Sequence, residues 1–196
     1  DRFRQFELLF RYDNEDKTPK KALIKFEQLR DKIPSMIKAW HENFNQIFPI
    51  CNYLISSLNK NREFDAPDFL IIAQALDGYF KRFVNKKDGK DIRKYDEQII
   101  KLLEHFKDVD ALRACNLDAK VLAHSRHKYS HLIPDEETKN IEKAVSGDEL
   151  YYLTQKCIVL LTCCILDNLG LTTEEINICF EDSVIEEIVN DIPFWY

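Results

Sequence analysis

Within nine positions, "HSRHKYSHL" (residues 124–132), the chain places His124, His127 and His131 together with Arg126 and Lys128. Imidazoles beside a guanidinium suit proton transfer next to an anion, and imidazoles alone suit metal ligation. On a helix each residue advances by about 100°, so the three histidines share one face, while Arg126 lies roughly 140° from His131. Either the helix is irregular here, or Arg126 and His131 act together only through a second copy of the chain.

Three readings of the cluster compete. The histidines are hydrogen-bonded surface or boundary residues of an ordinary polar helix; or His127 and His131, at i, i+4, are metal ligands; or the cluster does acid–base chemistry on RNA. Against metal, Lys128 stands where a zinc peptidase has its glutamate base, and no carboxylate cluster lies nearby in the sequence. The RNA reading needs a group that titrates near neutrality to take the 2'-hydroxyl proton, and a fixed cation for the charge on the phosphorane. His131 or His127 supplies the first and Arg126 the second. No cofactor is expected.

Further residues fit that chemistry. Tyr129 suits base stacking or the core, and Ser130 lies inside the motif. Lys81, Arg82, Lys86, Lys87, Lys90, Arg93 and Lys94 form the densest basic run, a path for phosphates or a solvated loop, diluted by Asp88, Asp91 and Asp96. Asp77, among apolar neighbours in "QALDGYF", is either a functional carboxylate or a surface acid paired with Lys81 at i, i+4.

The elements that must position these residues read as helices. The 196 residues are 45% apolar and 32% charged, enough for one sizeable core, and no alternating strand pattern or repeat occurs. Apolar positions recur at helical spacing from Ile24 to Leu58, interrupted near Pro34 and Pro49, which predicts two or three segments there. Asp65 or Asp68 caps a helix over 66–84 with Pro67 in its first turn; Asp118 caps the helix of the histidine motif, which Pro134 ends. Ser146 caps a segment running to Asn168, Gly170 stops it, and Thr172 with Glu175 forms a capping box for the last helical stretch. The fold expected is all-α, an up-and-down four-helix bundle with additional short helices over residues 21–196. Residues 1–20 read as an appendage, or the end of a linker from an upstream domain missing from this chain, since no initiator Met opens it.

Charge and cysteine usage bound the partners. Of the net −6, residues 135–196 carry −11, from fourteen carboxylates and three lysines, so residues 1–134 carry +5. A polyanion should therefore approach the N-terminal two-thirds. The apolar run "CIVLLTCCIL" (157–166) is about half of what spans a bilayer, so no membrane segment is expected. The six cysteines lack C-x-x-C spacing and sit among apolar residues, as thiols of a reducing cytoplasm do.

"RHKYSH" is similar to the HEPN ribonuclease signature, an arginine, then a polar residue, four to six intervening positions in all, then a histidine. Its surroundings resemble the ApeA-like branch of abortive phage infection proteins: "FLIIAQALDGYFKRF" resembles that branch's "QALE" helix, "VLAHSRHKYSHLIP" its motif helix and "ELYYLTQKCIVLLTCCILDNLGL" the helix after it. The resemblance covers about residues 22–190. It implies a helical bundle that forms a homodimer in which two Arg–His motifs face each other across a cleft, cutting RNA without metal in anti-phage defence. Arg126 then holds phosphate, His131 is general acid or base, and His127 takes the place of the usual asparagine. Asp77 stands where the branch has Glu and pairs with Arg126 or His131, with Lys128 and the basic run along the RNA path. A non-catalytic HEPN module that binds nucleotide or RNA, or only dimerises, remains the alternative, and an upstream sensor domain is a further implied partner. Replacing Arg126 or His131 by alanine is expected to cost activity rather than stability.

Overall fold

The computed structural model describes residues 22, 23, 25, 29–59, 65–85, 91–134 and 143–193. The expected appendage over residues 1–20 lies outside these, as do Lys86, Lys87 and Lys90. Among the described residues there are no strands, and the helices are α1 (Ile33–Leu58), α2 (Ala66–Tyr79), α3 (Tyr95–His105), α4 (Asp110–Cys115), α5 (Ala119–Ser130), α6 (Asp148–Asn168), α7 (Thr173–Phe180) and α8 (Val184–Asp191). A single π-helical turn, Phe80–Val84, prolongs α2. The all-α bundle is as expected.

Its axis is α6. Every residue from Leu153 to Leu166 is buried, Gln155 and Lys156 included, so this helix is enclosed all round rather than on one stripe. Although Asp148–Asn168 has the length and apolarity of a membrane span, 83% of its most apolar window is covered by other helices. Its hydroxyls are satisfied internally: Thr154 and Thr162 donate to the carbonyls of Leu150 and Ile158 at 2.7 and 2.8 Å. Helix α2 packs along α6, α1 covers both, and α3 and α5 close the other side of α2; the short helices α4, α7 and α8 cluster around α6.

Local chemistry explains most boundaries. Asp65 caps α2 in a capping box with Asp68, Asp118 accepts from the N–H groups of Lys120 and Val121 to start α5, and Thr172 and Glu175 cap α7 reciprocally. After α6, Gly170 at φ +90° lets Leu171 N–H reach the Leu166 carbonyl (3.2 Å) and Gly170 N–H reach that of Asp167 (2.9 Å), a Schellman ending. Three expectations need correction. The segment before residue 58 is one 26-residue helix, with Pro34 in its first turn and Pro49 inside it. Pro49 faces solvent while Ile47, Ile50 and Cys51 are buried, so core contacts on either side hold the helix through the missing hydrogen bond. Gly147, at φ 57°, rather than Ser146, precedes α6, with no side-chain cap. And α5 stops at Ser130, four residues before Pro134: Leu132 takes the left-handed conformation (φ 51°), so that Ile133 N–H reaches the Lys128 carbonyl at 3.0 Å.

Candidate active site

Helix α5 carries the motif, and it stays a regular α-helix through Ser130, so the angular conflict between Arg126 and His131 is not relieved by local distortion. Arg126 turns inward. Its Nη2 donates to Asp77 Oδ2 on α2 at 3.3 Å, and its guanidinium carbon lies 4.4 Å from the centroid of the Tyr95 ring at the start of α3. Tyr95 in turn donates through its hydroxyl to the Ala73 carbonyl of α2 at 2.8 Å. Burial pushes the Tyr95 phenol well above its ordinary value, so it remains a neutral donor under Arg126. The arginine is thus held between a carboxylate of α2 and a ring of α3 that is itself bonded to α2.

Asp77 makes both contacts weighed for it. The same Oδ2 accepts from Lys81 at 2.8 Å and from Arg126, with the aspartate side chain only 13% exposed. The lysine is i, i+4 from Asp77 and reaches it from within the π turn. π turns occur often at functional positions, and this one directly follows the helix that carries the carboxylate.

The imidazoles face the other way. His127 and His131 are exposed, with ring centroids 4.6 Å apart, and Ser130 donates to the His127 carbonyl at 3.3 Å. His131 is the C-cap of α5, its N–H still bonded to the His127 carbonyl, and Leu132 beside it is 86% exposed. His124 is half-buried. Among the described residues no three His, Cys, Asp or Glu side chains converge as metal ligands would.

Other candidates separate. Tyr129 packs into the bundle: its ring meets Phe69 edge-on at 6.0 Å, and its hydroxyl donates to the Val145 carbonyl at 3.0 Å, which with the Val145 N–H bond to Ser125 Oγ fastens the segment before α6 onto α5. Lys128, expected along the RNA path, is instead buried, with its ammonium 5.2 Å from the Tyr129 ring centroid, because its position on α5 faces the bundle. Arg82 donates to the Gln46 carbonyl of α1 at 2.8 Å, whereas Lys81, Arg93 and Lys94 are exposed. All six cysteines are buried free thiols.

Two features were not foreseen. Tyr95 as the platform for Arg126 has no signature in its local sequence, since the contact joins helices α3 and α5. A second polar cluster, His105 with Asp167 and Tyr79, joins residues 62 and 88 positions apart and is equally silent in the sequence.

The sequence model of the family described as Apea-like HEPN matches residues 70–175, just over half of the chain, from α2 to the start of α7. No curated protein and no solved structure matches.

Proposed function

The chain belongs to the Apea-like HEPN family, whose domains are in general RNase modules, and from that premise we propose that it is a metal-independent endoribonuclease of abortive anti-phage defence, active as a homodimer. The observation that carries this reading is the split of the motif on a regular helix. Arg126 is aimed to one side by Asp77 and Tyr95, and the His127–His131 pair faces solvent on the other. One chain does not close these around one phosphate; two chains meeting at the exposed end of α5 would, and exposed Leu132 beside His131 supplies apolar surface for that contact.

In such a cleft the roles follow from chemistry. A neutral imidazole, that of His131, takes the proton of the ribose 2'-hydroxyl as its oxygen attacks the adjacent phosphorus. Arg126 gives one Nη to Asp77 and has further N–H donors for the phosphorane oxygens. The bond from phosphorus to the 5'-oxygen then breaks, and a protonated imidazole, from His127 or from the second copy of the motif, donates to the leaving oxygen. The products are a 2',3'-cyclic phosphate and a 5'-hydroxyl. The carboxylate beside the motif, Asp77, already serves two cations, which fits an attacking group drawn from the substrate rather than a metal-bound water. The exposed cations Lys81, Arg93 and Lys94 line a path for the RNA backbone, and the buried thiols suit a reducing cytoplasm.

The test is cleavage of mixed RNA by purified protein in EDTA, with analysis of the ends formed. Cyclic phosphate and 5'-hydroxyl ends are expected, with DNA and RNA bearing a 2'-deoxy sugar at the scissile position uncut. His131→Ala should lower the rate by about 10²- to 10⁴-fold, the usual loss for a general acid–base. Activity that vanishes in EDTA and returns with Mg²⁺ or Zn²⁺, or full activity from a monomer, would overturn the reading.

A further inference from the structure

The cleavage chemistry leaves a buried amine unused. Lys156 lies in the enclosed stretch of α6 and is only 7% exposed. A cavity of about 290 Å³ opens beside it, between the first half of α6, the start of α5 and the turn at Asn116 that joins α4 to α5. Glu149, Tyr152, Leu153 and Lys156, at i, i+3, i+4 and i+7, present one face of α6 to this cavity, and Val121 and Val145 supply further apolar wall. Asp118 and Val121 stand at the start of α5 and His131 at its end, so the cavity is separate from the Arg–His motif.

Burial pushes the Lys156 ammonium below its ordinary value. The neighbouring thiols of Cys115 and Cys157 would oppose this only as thiolates, and burial pushes both up, Cys115 to about 12, so they are neutral near pH 7. Two carboxylates line the cavity, and each has other work or lies at a distance. Asp118 accepts from the N–H groups of Lys120 and Val121 at 2.7 and 3.2 Å, with Lys143 Nζ 3.8 Å from its second oxygen. Glu149 is exposed in the first turn of α6, about 10 Å along the axis from Lys156. Both are near enough to disfavour an anion in the cavity and to tolerate a cation there.

A desolvated lysine facing an apolar cavity is a nucleophile towards carbonyl carbon. We propose that Lys156 forms an imine with a small neutral aldehyde seated in this cavity against Val121, Val145 and Leu153. The neutral amine nitrogen attacks the carbonyl carbon, the carbonyl electron pair moves to oxygen, and that oxygen takes a proton to give a carbinolamine. The nitrogen lone pair then expels the hydroxyl group, which leaves as water after a second proton reaches it. In sum, a protonated lysine and an aldehyde become a protonated imine and water, with no oxidant or reductant. The imine keeps the single positive charge that the ammonium carried, so the cavity's charge balance is unchanged, whereas an anionic aldehyde would meet Asp118 and Glu149 on entry.

The test treats the whole protein near neutral pH with limiting benzaldehyde and then cyanoborohydride, which reduces an imine to a stable secondary amine, and locates the adducts by peptide mass spectrometry. Lys38, whose side chain is 76% exposed, is the internal reference. Lys156 should be labelled at least about tenfold more than Lys38, the ratio that distinguishes a site from random reaction by one decade of selectivity. With 4-carboxybenzaldehyde, the same ring bearing a negative charge, the ratio of Lys156 to Lys38 should fall by at least about tenfold. In urea above the unfolding midpoint the preference should vanish, because it depends on the folded cavity. Labelling needs no RNA, so the result stands apart from the outcome of the cleavage assay. Labelling of Lys156 no greater than that of Lys38, an equal preference with both aldehydes, or a preference that survives unfolding would overturn the proposal.

Discussion

Removing the Asp77 carboxylate should uncouple Arg126 from α2, and the size of that effect follows from the geometry. At 3.3 Å, two unit charges attract by roughly 1.3 kcal/mol in bulk water and roughly 5 kcal/mol at an effective dielectric of about 20. Desolvation offsets part of this, because Asp77 is 13% and Arg126 32% exposed. Fully exposed pairs contribute about 0.2–1 kcal/mol, and breaking a fully buried one costs about 3–5 kcal/mol. The half-buried pair belongs between, at a coupling of about 1–2 kcal/mol. Lys81 shares the same oxygen but is 58% exposed, so its i, i+4 contact adds only about 0.2–0.5 kcal/mol. The assay is a double-mutant cycle by urea unfolding, with Asp77→Ala, Arg126→Ala and the double variant, repeated in a Lys81→Met background to remove the competing cation. A coupling below about 0.5 kcal/mol, the ordinary error of additivity for independent sites, would refute the view that α2 positions this guanidinium. The same reasoning revises the expectation that Arg126→Ala leaves stability untouched: the substitution also loses the contact with the Tyr95 ring, itself worth about 0.5–2 kcal/mol. Loss of activity in Arg126→Ala therefore has to be measured well below its unfolding temperature, whereas exposed His131→Ala is the cleaner probe.

Leu132→Gly should raise the stability of the isolated chain by about 0.5–1 kcal/mol, because glycine adopts φ 51° without a Cβ penalty; dimer affinity, read by analytical ultracentrifugation, should fall if this side chain is part of the contact, and unchanged affinity would remove Leu132 from it. Acid should act through the caps. Burial pushes the Asp118 and Glu175 carboxyls up, but the backbone N–H groups they accept from, with Lys143 and Lys32 nearby, outweigh it and hold both below their ordinary values of 3.8 and 4.5. A depressed carboxyl stabilises fully above its ordinary value and ceases to as pH falls through the folded one. Thermal unfolding midpoints should thus hold down to about pH 5 and drop below it, less so in Asp118→Asn and Glu175→Gln; parallel curves for wild type and both variants would contradict this.

What the sequence disclosed was whatever chemistry writes locally. Asp65, Asp118 and the Thr172–Glu175 box announce their helices because a cap acts on backbone two or three residues away, and Gly170 announces a stop because its φ requires it. The Arg126–Asp77 pair was anticipated only through resemblance, for nothing within 49 residues of sequence links them. Pro49 misled, since its cost is local while the contacts that carry α1 across it come from other helices. Lys128 misled for the matching reason: a lysine in a basic motif reads as exposed, but its angular position on α5 was already fixed toward the core.

That same angular constraint bears on the homodimer proposed above. Bringing Arg126 and His131 together within one helix would require distortion of α5, yet Asp118 fixes its start, the Ser125 and Tyr129 bonds to Val145 fasten its side, and the left-handed turn at Leu132 closes its end. With α5 clamped at three places and Arg126 clamped at Asp77 and Tyr95, the element free to change is the exposed face that carries His127, His131 and Leu132. If the proposed homodimer forms, each chain brings a rigid half-site whose arginine is in place before any substrate arrives, and assembly is the step that completes it. Control of activity would then act on the encounter of two chains rather than on the geometry inside either one.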